Sequence, residues 1–238
     1  MSKYKAILWD IDDTLLDFKK SEKIGIFTCF EKRGLYVDDA IAERFSQIND
    51  SHWKRFEKKE LTKLEVQRGR FVQLFEELHI PDSVDMEEFR LEYEHLLGEI
   101  WFYRENSKEL LEQLQRLGYE QYAITNGTKK VQDKKIKGTG FDKIFKQVFI
   151  SDVIGTPKPH KGFFDYVFSN ISHIKKEEML VVGDSLTSDM RGGVENGVDT
   201  CWYNPYGVEN AGKLPITYEI QKLEDVLKVL EATNGKII

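Results

Sequence analysis

The sequence predicts an α/β fold: a parallel sheet covered on both faces by helices, with one mainly helical insert near its start. Three observations carry this. From Ser107 onward, short runs rich in aliphatic and aromatic residues alternate with helical patterns, as in parallel strands joined by helical crossovers. Residues 17–102 hold helical periodicity and no convincing strand. Unusual polar residues follow the carboxyl ends of the predicted strands, the edge of an open parallel sheet where ligands bind.

The first strand is the apolar run Ala6-Ile7-Leu8-Trp9, which stops at Asp10-Ile11-Asp12-Asp13-Thr14. Alternation along an extended chain points Asp10 and Asp12 the same way, so two negative charges meet near the strand end. A divalent cation relieves that repulsion, and magnesium fits because it is held by one or two carboxylates plus phosphate oxygens and water. The plain alternative is that Asp12 or Asp13 caps a helix. In the insert, Phe45, Ile48, Trp53 and Phe56 form one face, with Asn49 and His52 beside it. Phe71, Leu74, Phe75 and Leu78 form another, ended by Leu78-His79-Ile80-Pro81, and a further helix starts near Asp85.

After the insert, a helix marked by Leu110, Leu114 and Leu117 closes at Gly118, and a strand over Tyr119 to Ile124 ends at Thr125-Asn126-Gly127. A helix from Lys129 to Lys137 leads to the strand Val148-Phe149-Ile150. The loop Thr156-Pro157-Lys158-Pro159 precedes a helix around Gly162 to Asn170, and Met179 to Val182 is a strand ending at Gly183-Asp184-Ser185. A helix from Ser188 to Asn196, a strand from Val198 to Tyr203 and an amphipathic segment with Leu223, Leu227 and Leu230 complete the pattern.

Composition narrows the classes. With 238 residues, 40% hydrophobic and 32% charged, the chain suits one large or two smaller globular domains and not disorder. No apolar run approaches the roughly 20 residues of a membrane helix, and Met1 to Lys5 carries no secretory signal, so a cytoplasmic location is expected. Cys29 and Cys201 are too few for a disulfide framework or zinc cluster and read as core residues. A net charge of −6 argues weakly against binding a nucleic-acid polymer.

Asp10 and Asp12, Thr125, Lys158 and Asp184 each sit at a predicted strand end. Singly, each has a bland explanation. Thr125-Asn126-Gly127 reads as a turn, Lys158 as a solvated lysine, and Gly183-Asp184-Ser185 as a helix entry. Their shared position on one sheet edge points instead to a single site.

In this order and context the residues resemble the haloacid dehalogenase-like superfamily. Its four motifs match Asp10-Ile11-Asp12-Asp13-Thr14, Thr125 with Asn126, Lys158 with Pro159, and Gly183-Asp184-Ser185-Leu186-Thr187-Ser188-Asp189. Leu8 to Phe18 and Ile48-Asn49 through Trp53 look most like the pyrimidine nucleoside 5′-monophosphatases within it. The resemblance implies a Rossmann-like catalytic core over residues 1–16 and 103–238 and a helical cap over residues 17–102. It also implies a magnesium-dependent phosphatase acting on a small phosphorylated metabolite, a nucleoside 5′-monophosphate. Asp10 would be the nucleophile and Asp12 the acid and base. Asp10, the backbone carbonyl of Asp12, and Asp184 would hold the metal. Thr125, Asn126 and Lys158 would bind phosphate, and Asp189 would orient a metal-bound water or Lys158.

The same pattern suggests a cis Lys158-Pro159 bond. Asn49, His52, Trp53 and Arg70 are candidates for substrate contact, whereas Lys54, Arg55, Lys58 and Lys59 read as a solvated helix face. A monomer or homodimer is expected. A sugar-phosphate phosphatase or phosphomutase remains the enzymatic alternative. Dehalogenation does not need the metal site, and phosphonoacetaldehyde cleavage would need a cap lysine such as Lys19 or Lys20. A phospho-aspartate switch is the non-enzymatic alternative.

Overall fold

In the strand β1 (Ala6–Trp9) every side chain is buried, Ala6 and Leu8 in one apolar cluster and Ile7 and Trp9 in another. A strand with both faces apolar belongs in the middle of a sheet, and burying each large aliphatic or aromatic side chain contributes about 1.5–3 kcal/mol. The computed structural model describes residues 3–233. Helices α1 (Phe18–Glu31), α2 (Asp39–Glu57), α3 (Lys63–Glu77) and α4 (Met86–Glu99) follow β1. The chain continues through α5 (Ser107–Arg116), β2 (Glu120–Thr125), α6 (Lys129–Thr139), β3 (Gln147–Ile150), α7 (Ser151–Ile154) and α8 (Lys161–Asn170). Then come β4 (Met179–Gly183), a π-helical turn (Leu186–Met190), α9 (Arg191–Glu195), β5 (Asp199–Tyr203), β6 (Tyr218–Ile220) and α10 (Val226–Ala232).

The six strands are all parallel in the order β3-β2-β1-β4-β5-β6. Strand order therefore reverses beside β1, and the crevice beyond its carboxyl end is the natural ligand position. Four helices between β1 and α5 pack on their own core of Ile26, Phe30, Phe45, Phe71, Phe89 and Tyr93, among others. Each begins at a capping residue: Asp17, Asp38, Thr62 with Glu65, and Asp85. Because Asp17 is the cap of α1, neither Asp12 nor Asp13 has that duty. The outgoing and returning chains lie side by side, with Asp17 N donating to Phe102 O at 2.8 Å and Arg104 N to Leu15 O at 2.9 Å.

Three details differ from the sequence expectation. Leu117 is exposed, because α5 ends one residue earlier, at Arg116. The expected helix over Ser188 to Asn196 is a π-helical turn followed by a short α-helix, with Met190 N reaching back to Ser185 O. Strand β6 was not anticipated, since three residues of alternation after a proline-bearing loop give little periodicity to detect.

Candidate active site

Strand ends deliver the polar groups. Lys158 is 1% exposed, and its ammonium donates to Asp10 Oδ1 at 2.7 Å, Asp189 Oδ1 at 2.6 Å and the Ile124 carbonyl at 2.8 Å. A buried ammonium needs such partners, because an unpaired one would be expelled or neutralised. Burial alone would lower Lys158, yet the Asp10 and Asp189 carboxylates lift it above the ordinary lysine value. The Lys158–Pro159 peptide bond is cis. Asn126 holds this loop in place: its side-chain oxygen accepts from Lys158 N at 2.9 Å and its nitrogen donates to Lys158 O at 3.0 Å. The Asn126 side chain is thus engaged with the lysine loop, leaving its main-chain amide for any anion.

Thr14 joins the first and last acidic segments. Its hydroxyl lies 3.2 Å from Asp10 Oδ2 and 3.0 Å from Asp184 Oδ1, and it accepts from Asp184 N at 3.0 Å. Having one proton, it donates to one carboxylate at a time. Carboxylate oxygens of Asp10, Asp184 and Asp189 lie within 4.8 Å of one another. Burial first, then the neighbouring carboxylates, push Asp184 well above the usual carboxylate range. Asp10 is raised to about 8, by burial first, with Lys158 opposing and Asp189 adding to the rise. A cluster of hard oxygen donors with one ammonium among them is short of positive charge and fits a magnesium ion.

Asp12 shares the cavity with Asp10, and its charge raises that carboxyl group, but its own oxygens are held from another element. The chain leaves the extended conformation after β1, with Asp13 at a φ of 65°, and the Asp12 carboxylate turns to α6. There Lys135 Nζ donates to Oδ1 at 2.5 Å and Gln132 Nε2 to Oδ2 at 2.7 Å. The Asp12 side chain is therefore apart from the acidic cluster, and only its main chain remains to serve a metal. Asp13 is tied by Lys19 N at 3.2 Å and Arg104 Nη2 at 3.3 Å.

Asp10, Asp12, Thr125, Asn126, Lys158, Asp184 and Asp189 all line one cavity of about 1000 Å³, counting the space at its mouth. Asn49, Trp53 and Arg70 line its other side. His52 does not: its Nδ1 donates to Ile48 O at 2.9 Å, and its ring packs against Gly69 of α3, where a Cβ would come within 3.0 Å of Nε2. The expectation of substrate contact by His52 is corrected accordingly. Arg70 is buried, with Nη1 on Asn49 Oδ1 at 2.8 Å, while Asn49 Nδ2 donates to Glu22 at 2.6 Å. Arg70 Nε is buried without a partner among the described residues. Lys54, Arg55, Lys58 and Lys59 are exposed, as expected.

Sequence reasoning missed Thr14, Gln132, Lys135 and Lys63. Lys63, the first residue of α3, donates to Asn126 O at 2.7 Å and Gly127 O at 2.8 Å, joining the insert to the loop after β2. Gln132 and Lys135 were detectable in principle, since they interrupt the buried stripe of Val131, Ile136 and Thr139 on α6. Thr14 stood at the end of the first motif with no role assigned to it, and Lys63 carried no signal in the sequence.

A Rossmann-like sheet, a helical insert after β1 and an acid–lysine cluster at the carboxyl edge place the chain among hydrolases of the superfamily that its motifs resemble. Residues 4–197 match the family model of haloacid dehalogenase-like hydrolases, and the chain belongs to that family. The HAD-hydrolase YfnB of Bacillus subtilis (strain 168) is 34% identical over 235 residues, covering 98% of both chains. A crystal structure of YfnB bound to magnesium, reported to reveal interdomain movement, matches with a TM-score of 0.89 over 95% of this chain and 98% of that one, at 34% identity. The pyrimidine 5′-nucleotidase PynA of Streptococcus pneumoniae (strain ATCC BAA-255 / R6) is 33% identical, covering 96% of this chain and 95% of PynA. The glyceraldehyde 3-phosphate phosphatase of Pyrococcus abyssi is 31% identical over 97% of this chain and 95% of its own length. Among the described residues, no helix is long and apolar enough to cross a membrane.

Proposed function

We propose that this protein is a magnesium-dependent phosphatase that hydrolyses a nucleoside 5′-monophosphate through an aspartyl phosphate on Asp10. The observation that carries the proposal is the Lys158–Asp10 ion pair, which opens on a cavity shared with Thr125, Asp12 and Asp184. The Lys158 ammonium opposes the rise that burial imposes on the Asp10 carboxyl group and so favours the ionised form that attacks, and forming a covalent intermediate divides one difficult hydrolysis into two easier displacements. Asp10 attacks phosphorus, the ester P–O bond breaks, and the departing oxygen takes a proton from the Asp12 carboxyl group. Water then attacks phosphorus and gives a proton to Asp12. The bond from phosphorus to Asp10 breaks, releasing inorganic phosphate and restoring both side chains.

Lys158 and the Thr125 hydroxyl face the charge that develops on the non-bridging oxygens. Asp10 and Asp184, with the main chain of Asp12, would hold magnesium, which supplies further positive charge to the phosphate. Asp189 keeps Lys158 aimed at Asp10 through its 2.6 Å contact. The insert covers one side of the cavity, and limiting the water there strengthens each of these interactions. We place residues 1–16 and 103–238 in the catalytic unit and residues 17–102 in the cap.

A nucleotide as substrate is supported by the likeness to PynA and by the mixed lining of the cap side. Trp53, Phe18 and Leu97, with Val131 of α6 facing them, offer apolar surface to a base, and Arg70, Asn49 and Gln67 stand among them to meet its polar edge. The likeness to the Pyrococcus enzyme favours a second reading, a small sugar phosphate. A magnesium-supplemented phosphatase screen over nucleoside monophosphates and sugar phosphates separates the two. The expected outcome is the largest kcat/KM for a nucleoside monophosphate, and loss of turnover on chelation that magnesium restores. Full activity after demonstrated metal removal would defeat the metal assignment.

A further inference from the structure

Helix α6 sends two side chains to the two oxygens of one carboxyl group. Lys135 and Gln132 are three residues apart, hence on one helix face, and each is 1% exposed. Lys135 Nζ meets Asp12 Oδ1 at 2.5 Å and Gln132 Nε2 meets Oδ2 at 2.7 Å. The Lys135 ammonium also lies 5.1 Å from the centre of the Phe18 ring, at the start of α1. We infer that Gln132 and Lys135 are positioning residues that fix the plane of the Asp12 carboxyl group for proton transfer to the departing oxygen.

Two features distinguish this arrangement from ordinary packing. Gln132 Oε1 is buried with no partner among the described residues, so the amide is placed by its bond to Asp12 and not by a satisfied network. The loop after β2 also makes room for it. A Cβ on Gly127 would fall 2.1 Å from Gln132 Nε2, so only glycine at that position lets the amide reach Asp12. Lys63 of the insert grips the same loop through the Gly127 carbonyl. A carboxyl group offers about four lone-pair sites, so two donors leave room for the proton that passes to the departing oxygen and, once it has gone, for a hydrogen bond from the attacking water.

This positioning role rests on Asp12 acting as the acid and base, as proposed above. General acid catalysis matters most for a strongly basic leaving group. An alkoxide needs a proton as it departs, whereas 4-nitrophenolate does not. The experiment measures the first turnover of purified magnesium-loaded enzyme with uridine 5′-monophosphate and with 4-nitrophenyl phosphate. Glucose 6-phosphate takes the place of the nucleotide if nucleotides do not turn over. Gln132→Leu and Lys135→Met are compared with the wild type and with Asp12→Asn.

The expected result is that both variants release the alcohol about 30-fold more slowly in the first turnover. Nitrophenolate release stays within about threefold and KM is little changed, because neither the nucleophile nor the phosphate contacts are altered. Lys135→Arg restores part of the lost rate. If Lys135→Met does not fold, Gln132→Leu gives the reading alone, since it removes a neutral group. Equal slowing with both esters, or wild-type rates with both, overturns the positioning role. The two failures are separable. If Asp12→Asn itself shows no dependence on the leaving group, the role of Asp12 fails; if it does and the helix variants do not, only the positioning role fails.

Discussion

The two walls of the cavity are built on different rules. On the sheet side, Asp10, Thr125 and Asp184 stand at the carboxyl ends of parallel strands and Lys158 enters from the loop after α7, and the groups meet one another across long sequence separations: Asp10 with Lys158, Asp184 with Thr14. On the insert side, the polar groups largely satisfy one another within the helices, as in the run Glu22, Asn49, Arg70. The sheet topology forces chemically distinct residues together, whereas a helical layer lets its polar side chains pair internally. On the proposed mechanism the chemistry is therefore concentrated on the first wall, with the second contributing shape, exclusion of water and a few contacts.

That contrast can be broken most severely on the sheet side. Asp10→Asn should lower kcat by about four orders of magnitude while the protein stays folded, as read by steady-state kinetics beside a thermal melt. Retained turnover in pure Asp10→Asn protein would remove the contrast altogether. The joint between the walls comes next. Lys63→Met frees the loop carrying Asn126 and Gly127, and kcat should fall about tenfold from misplacement of that loop.

Lys63 also predicts a pH signature. Burial lowers its ammonium from the ordinary 10.5 to about 8, with Asp152 opposing. The folded chain therefore releases this proton near pH 8 and the unfolded chain near 10.5, so the Lys63 contribution to stability rises between those values. Denaturant titrations across that range should show the rise in the wild type and its absence in Lys63→Met.

On the insert side the effects should be smaller and fall on KM. Trp53→Ala should raise KM for a nucleoside monophosphate about tenfold, the usual worth of a base–aromatic contact, and leave a small aliphatic phosphate unaffected. An equal effect on both substrates would take Trp53 out of base recognition. His52→Leu should leave kcat and KM unchanged, because the ring is turned to Ile48 O and Gly69 and away from the cavity. Its stability should shift by no more than about 1–2 kcal/mol, the worth of one buried hydrogen bond partly offset by apolar replacement.

The same contrast explains how much could be read from the sequence. Strand ends announce themselves, because an apolar run halted by Asp10, Thr125 or Asp184 is conspicuous, and Lys158 was found by its place in the resulting order. Where local geometry departs from a regular strand, that reading weakens. Alternation put Asp12 on the cavity side with Asp10, but it cannot foresee that Gln132 and Lys135 of α6 hold its two oxygens. Helical periodicity located α2 and α3 but could not say which polar neighbours of the buried stripe face inward. Asn49 and His52 looked alike in sequence, and only Asn49 lines the cavity. Lys63 and Gln132 act through contacts with segments far along the chain, which no local pattern encodes.

The most direct test of the central claim is to quench the enzyme in acid during turnover of its best substrate and map the phosphoryl group by peptide mass spectrometry. A phosphorylated peptide carrying the modification on Asp10 should appear within the first turnover and decay as substrate is exhausted. A phosphoryl group on another residue, or turnover with no phosphorylated protein at any time, would contradict that claim.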